Sequence, residues 1–180
     1  MNLTGQMLGI YTPAFVRRRA LLELFEATAS AFGVSVPPSG DASADELLGR
    51  YAVFTAQRAT AVLHSGEDTA PISQKLYDSA YAIGARLRRD FGVSSTVDAM
   101  AAARALYRML GIDFRPSSEG EIRIPHCYFS GFYSPSVCRL ISALDQGLLA
   151  GLSEGGRFEF QQRITEGAVC CVATFAVASP

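Results

Sequence analysis

The stretch Ile112-Asp113-Phe114-Arg115-Pro116-Ser117-Ser118-Glu119-Gly120-Glu121-Ile122-Arg123-Ile124 decides the fold class. Apolar and polar residues alternate in Ile112–Arg115 and again in Glu121–Ile124, the period of a half-buried strand. Pro116–Gly120 between them has the composition of a turn. Before this stretch the apolar residues recur at helical spacing, and after it strands return.

Working back from Ile112, Gly111 closes an Ala-rich helix opened by Ser95-Thr96-Val97-Asp98, with Leu106, Tyr107 and Leu110 on its apolar side. The helix before it is expected from Ile72 to Phe91, with Leu76, Tyr77, Tyr81, Ile83 and Leu87 inward and Gly92 beyond its end. Ser43-Ala44-Asp45-Glu46 is a capping box, in which a hydroxyl and a carboxylate satisfy free amides at the helix start. The helix it opens carries Leu47, Leu48, Tyr51, Phe54, Ala59 and Val62 and ends at His64-Ser65-Gly66. The first helix follows Thr12-Pro13, read as a cap with Pro at the first helical position. Its core side is expected to hold Phe15, Ala20, Leu21, Leu24, Phe25 and Phe32. Residues 1–12 read as a lead-in draped over the core.

Beyond Ile124, Pro125–Tyr133 is a loop and Ser134-Pro135 opens a fifth helix to about Leu152. Gly155-Gly156 turns the chain into a strand with Phe158, Phe160 and Ile164 on its apolar side. Glu166-Gly167 turns it again into Ala168–Val177, with Val169, Cys171, Phe175 and Val177 expected on one face. The fold class is therefore α+β: four N-terminal helices, then a small antiparallel sheet interrupted by one helix, β-β-α-β-β. A length of 180 residues suits one domain over 1–180, helical in 1–111 and carrying sheet, helix and site in 112–180.

Composition excludes several classes of function. Half the residues are apolar (49%), which argues against disorder. A net charge of -1 gives no electrostatic case for nucleic acid. The arginine clusters at Arg17, Arg18, Arg19 and at Arg86, Arg88, Arg89 spread around their helices and read as solvated faces. No apolar run reaches the roughly 18 residues of a membrane span. The first residues lack the basic region of a secretory signal, so a cytoplasmic location with reduced cysteines is expected.

The chemistry-bearing residues gather around the fifth helix. Cys138 lies in its first turns, and Asp145, seven residues on, shares its face with Ile141, Ser142, Leu148 and Leu152. A thiolate near a helix N-terminus is favoured by the dipole, which suits a metal ligand or a nucleophile. Gly147 and Gly151 form a small-residue stripe, expected to pack closely on the sheet. Cys127 sits in the loop feeding the helix, and Tyr128, Phe129, Phe132 and Tyr133 would shield a site there from water. Tyr128, Phe132 and Tyr133 are the expected ligand contacts. Cys171 faces the core on the last strand, and Cys170 the other side. Cys127, Cys138 and Cys171 are candidate ligands for zinc or an iron–sulfur cluster, with His126, Asp145 or Cys170 as a fourth. The bland alternative is reduced cysteines serving as small apolar core residues. Cys138, His126 and Asp145 are the candidate catalytic set, a thiol nucleophile with an acid–base partner.

From Tyr133-Ser134-Pro135-Ser136-Val137-Cys138 through Asp145-Gln146-Gly147 to Glu166-Gly167-Ala168-Val169-Cys170-Cys171, the sequence resembles the vinyl-reductase-type small-ligand-binding domain and, more closely, the L-2-amino-thiazoline-4-carboxylic acid hydrolase-like family. The resemblance covers about the last 75 residues. It implies helices leading into a small antiparallel sheet, a helix and a terminal hairpin. The strand reads Cys-Val-Ala where the hydrolase-type ending has Cys-Asp-Phe. Three functional readings follow. The first is a small-molecule, metal- or cluster-binding domain with a cysteine-lined site. The second, which the resemblance implies, is a hydrolase of a small cyclic C–N or C–S substrate using a cysteine nucleophile or metal-bound water. The third is a scaffold that forms a homodimer through an exposed apolar helix face.

Overall fold

Helices begin and end where local side-chain chemistry satisfies the free backbone groups. A computed structural model describes residues 13–177. Helix α1 (Ala14–Ala31) starts after Pro13, which takes the cap position itself; Thr12 and the lead-in over 1–12 lie outside the described residues. Helix α2 (Ala44–Ser65) carries the full capping box: Glu46 N–H donates to Ser43 Oγ, and Ser43 N–H donates to the Glu46 carboxylate at 2.8 Å. Helix α3 (Ala70–Phe91) starts two residues before Ile72 and stops at Gly92 in the left-handed conformation. Helix α4 (Thr96–Met109) is capped by the Ser95 hydroxyl, which accepts Asp98 N–H at 3.1 Å.

Two of the expected helix faces are corrected. Phe15 is 74% exposed. It stands about 120° around α1 from Leu21, whose side carries the buried Phe25 and Ala29. Tyr81 is also exposed, because α3 buries Leu76, Ala80 and Gly84 instead. That seam admits only small side chains where it meets the fifth helix.

The sheet has the order β1-β2-β4-β3 and every neighbouring pair is antiparallel. Strand β1 (Arg115–Pro116) is shorter than the alternation from Ile112 suggests. Ile112 makes only an isolated bridge to Cys127, and the ladder to β2 (Glu121–Ile124) begins at Arg115. Strand β3 (Arg157–Gln162) is bulged between Phe160 and Gln162 and ends there, and Ile164 falls in a 3-10 turn (Ile164–Glu166). Strand β4 (Cys171–Ala176) buries Cys171, Ala173 and Phe175. It starts three residues later than the sequence pattern suggests, so Val169, 96% exposed, never joins the core face, and Val177 past its end is exposed too.

Helix α5 (Pro135–Leu152) lies at the centre, after a 3-10 turn (Tyr128–Gly131) in the loop. It is buried on nearly every side, from Val137 and Leu140 to Gly151 and Leu152. Its glycines close on α3 rather than on the sheet. A methyl group at Gly147 would collide with the Tyr77 carbonyl oxygen, and one at Gly151 with the Tyr81 carbonyl oxygen. Three arginines of α1 and α3 are engaged with carboxylates: Arg17 with Asp45 at 2.5 Å, Arg86 with Glu23, Arg88 with Glu154 at 2.6 Å. The largest exposed apolar side chains, Phe15, Val97 and Val169 among them, belong to different elements.

Candidate functional site

Opposite its seam with α3, α5 faces a partly open cavity of about 220 Å³ bounded by α1, α2, α3, α4, the 127–133 loop and the sheet. Leu24, Leu87, Leu106, Leu110, Leu148 and Phe160 supply much of an apolar wall. Helical spacing brings Cys138, Ile141, Ser142, Asp145 and Leu148 to this one wall, as their seven-residue and four-residue separations require. Cys127 joins from the loop, where its bridge to Ile112 holds it, and Cys171 from the first position of β4, opposite Ile124.

The remaining expected residues stand apart. His126 is exposed at the end of β2, where its carbonyl accepts Asp113 N–H at 2.9 Å, and it is outside the cavity wall. Cys170 precedes β4; the Gln162 amide donates to its carbonyl at 3.3 Å, and its thiol does not reach the wall. Tyr128 packs over Gly111, and Phe132, 41% exposed, lies against Tyr128 with ring centroids 5.3 Å apart. Of the three aromatic residues expected to touch a ligand, Tyr133 does line the cavity, and Phe129 lines it beside Tyr133. The Tyr133 hydroxyl is shared with Thr55 Oγ1 at 2.6 Å, as that of Tyr51 is with Thr28 at 2.9 Å.

Among the described residues no three His, Cys, Asp or Glu side chains are gathered closely enough to hold a metal ion. Cys127, Cys138 and Cys171 therefore share a wall without forming the three- or four-ligand set that zinc or an iron–sulfur cluster requires.

Burial governs the ionisation of the site. It pushes the Cys127 thiol up to about 12, with the Phe129 N–H pulling weakly the other way. Cys138 is raised by burial and by the Asp145 charge, while Thr165, Arg163 and Ser142 pull it down less strongly. Its own N–H is bonded to Ser134 O at 2.9 Å, and burial is the largest influence on the thiol. Cys171 is raised by burial too, although its sulfur accepts the Ile164 N–H at 3.3 Å. Asp145 is pushed up to about 6 by burial, against the Tyr107 hydroxyl and the Arg163 charge. Tyr107 donates to Asp145 Oδ1 at 2.7 Å and stacks on Phe114, ring centroids 4.6 Å apart.

Nothing in the sequence marks Tyr107 or Thr165 as a site residue. Tyr107 reads as one more apolar position of α4, and only the packing of α4 against α5 reveals its carboxylate partner. Thr165 sits in the 3-10 turn where the alternation suggests strand, and its buried hydroxyl lines the cavity beside the Cys138 thiol, with no oxygen or nitrogen partner among the described residues.

No family model matches the chain, and no curated protein does. Among solved structures it is similar to trafficking protein particle complex subunit 3 from Naegleria fowleri, covalently bound to palmitic acid. The TM-score is 0.50 at 16% identity, over 73% of this chain and 95% of that one. At this identity the likeness is one of fold. The vinyl-reductase and thiazoline-hydrolase names remain a resemblance in the C-terminal motifs, and what the chain shares with a solved structure is an α+β architecture.

Proposed function

We propose that this chain is a binding domain for a small molecule with a hydrocarbon body, such as an acyl or alkyl chain, held in the cavity beneath α5. The cavity itself carries the reading: an apolar wall of about 220 Å³ meets a cluster of polar groups at Asp145, Ser142, Thr165 and three thiols. An apolar cavity of about 150 Å³ binds benzene, so this one suits a ring or a medium-length chain. Each buried methylene would contribute roughly 0.8 kcal/mol. The structurally similar subunit from Naegleria fowleri carries palmitic acid, which supports an acyl chain as the hydrocarbon body.

Binding is favoured over hydrolysis by the state of the thiols. A cysteine nucleophile needs a lowered pKa or an adjacent base. Cys127, Cys138 and Cys171 are all raised by burial, and His126 is exposed beyond the wall. A metal-bound water would need ligands that the described side chains do not bring together.

The test is binding of a neutral apolar fluorescent dye, with native and denaturing mass spectra for molecules that purify with the protein. One saturable dye site per chain, displaced by octanol, is expected. Leu148→Trp, which puts an indole into the cavity, should abolish it while keeping the helical circular dichroism. Unsaturable dye binding, or full binding by the folded variant, would refute the reading.

A further inference from the structure

Most polar groups of the wall already have partners. Arg17 is bonded to Asp45 and to Met109 O, and Glu23 to Arg86. The Ser142 hydroxyl donates to Cys138 O at 2.6 Å. The Tyr51 and Tyr133 hydroxyls are shared with threonines. Asp145 differs. Tyr107 occupies Oδ1, and Oδ2 has no hydrogen-bond partner among the described residues. Around it stand Tyr107 from α4, Tyr51 from α2, Cys138 and Ser142 from α5, Cys127 and Tyr133 from the loop, and Cys171 and Thr165 from the hairpin.

Arg163 is the cation whose charge reaches Asp145; it does not line the cavity, and its buried Nε has no hydrogen-bond partner among the described residues. Its guanidinium lies over the Phe160 ring, 4.6 Å from the centroid, and 3.8 Å from Glu166. A ligand in the cavity therefore meets a carboxylate oxygen with an empty acceptor site. The guanidinium in the wall, that of Arg17, is already engaged with Asp45 and Met109 O.

We infer that Asp145, held by Tyr107 in the cavity wall, selects ligands whose polar end donates a hydrogen bond or carries positive charge: an alkyl amine, or an alcohol, in preference to a fatty-acid carboxylate of the same length. This rests on the cavity being a ligand site. An ammonium at Asp145 Oδ2 makes a charge-assisted bond, whereas a carboxylate there faces a like charge across a poorly solvated gap. The Thr165 hydroxyl in the same wall, whose neighbour is the weakly bonding Cys138 thiol, can accept from an amine or alcohol, or donate to the latter's oxygen.

The experiment is displacement of the same neutral dye by octylamine, octanol and octanoate. Near pH 7.5 octylamine should bind about tenfold or more tightly than octanoate, the scale of one charge-assisted bond. Asp145→Asn, isosteric and checked by circular dichroism, should cut that ratio to about threefold or less. In the unmodified protein, lowering the pH from about 7.5 to about 5 should reduce the preference for octylamine over octanol, neither of which titrates there, as Asp145 takes up a proton. Octanoate binding as tightly as octylamine, or an amine preference intact in Asp145→Asn, would overturn the inference and leave the apolar site standing. Failure of all three compounds to displace a dye that does not itself saturate would overturn both.

Discussion

The two long sides of α5 are built on opposite terms. Toward α3 it presents Gly147 and Gly151, and the two backbones meet with no room for a methyl group. Toward α4 and the sheet it presents Cys138, Ser142 and Asp145 across a cavity of about 220 Å³. One side forgoes side chains to gain close contact; the other keeps space and polar groups that a dry core would have filled with leucine. Interiors are close-packed, and a void lined partly by a carboxylate forfeits dispersion contacts and desolvates a charge. A helix that achieves contact at backbone distance on one side and leaves a polar-lined space on the other points to ligand binding as the use of that space.

The contrast breaks first at the seam. Gly147→Ala forces a methyl against the Tyr77 carbonyl and should destabilise by about 3 kcal/mol in urea unfolding. Gly131→Ala, with nothing near its added carbon, should stay within about 0.5 kcal/mol of the parent. Equal effects at the two positions would mean the seam yields.

A change of comparable or smaller size, and of opposite sign, is expected on the cavity side. The folded-state pKa of Asp145, about 6, lies above the carboxylate's usual value, so the folded form holds the proton more tightly than the unfolded one. Its contribution is therefore most favourable below about pH 4 and is lost as pH rises through about 6. Asp145→Asn removes that loss and keeps an acceptor for Tyr107. It should stabilise by about 2 to 3 kcal/mol near pH 8 and by little near pH 4, read from unfolding midpoints across pH. A variant destabilised near pH 8 would show that the carboxylate is needed by the fold rather than by a ligand.

The thiols sharpen the comparison without altering stability. At about pH 8 the Cys127 thiol should alkylate more than about a hundredfold slower than in urea, as followed by peptide mass. Octanol should slow it further if the cavity is the ligand site. Rapid alkylation in the folded protein would return a reactive nucleophile to the account.

Legibility followed the range of the interaction. The Ser43–Glu46 box, the Ser95 cap and the Ser134-Pro135 start were readable because each is settled within three residues. The strands were read too long at both β1 and β4. Alternation persists through Ile112–Arg115 and Val169–Cys171, whereas a ladder exists only where a neighbour pairs. Of the candidate site, Cys138 and Asp145 were placed together by helical geometry alone. His126, one residue from Cys127, was not, since adjacent residues in extended chain diverge.

The sequence by itself determined the α+β order, the helix caps and the shared face of Cys138, Ser142 and Asp145, because capping and the helical repeat act over a few residues. Only the tertiary structure decided which side of α5 closes and which stays spacious, the strand order β1-β2-β4-β3, and the meeting of Tyr107 with Asp145 across 38 residues. It also decided the protonation of the thiols and of Asp145, since desolvation is set by everything packed around a group and not by its neighbours in the chain.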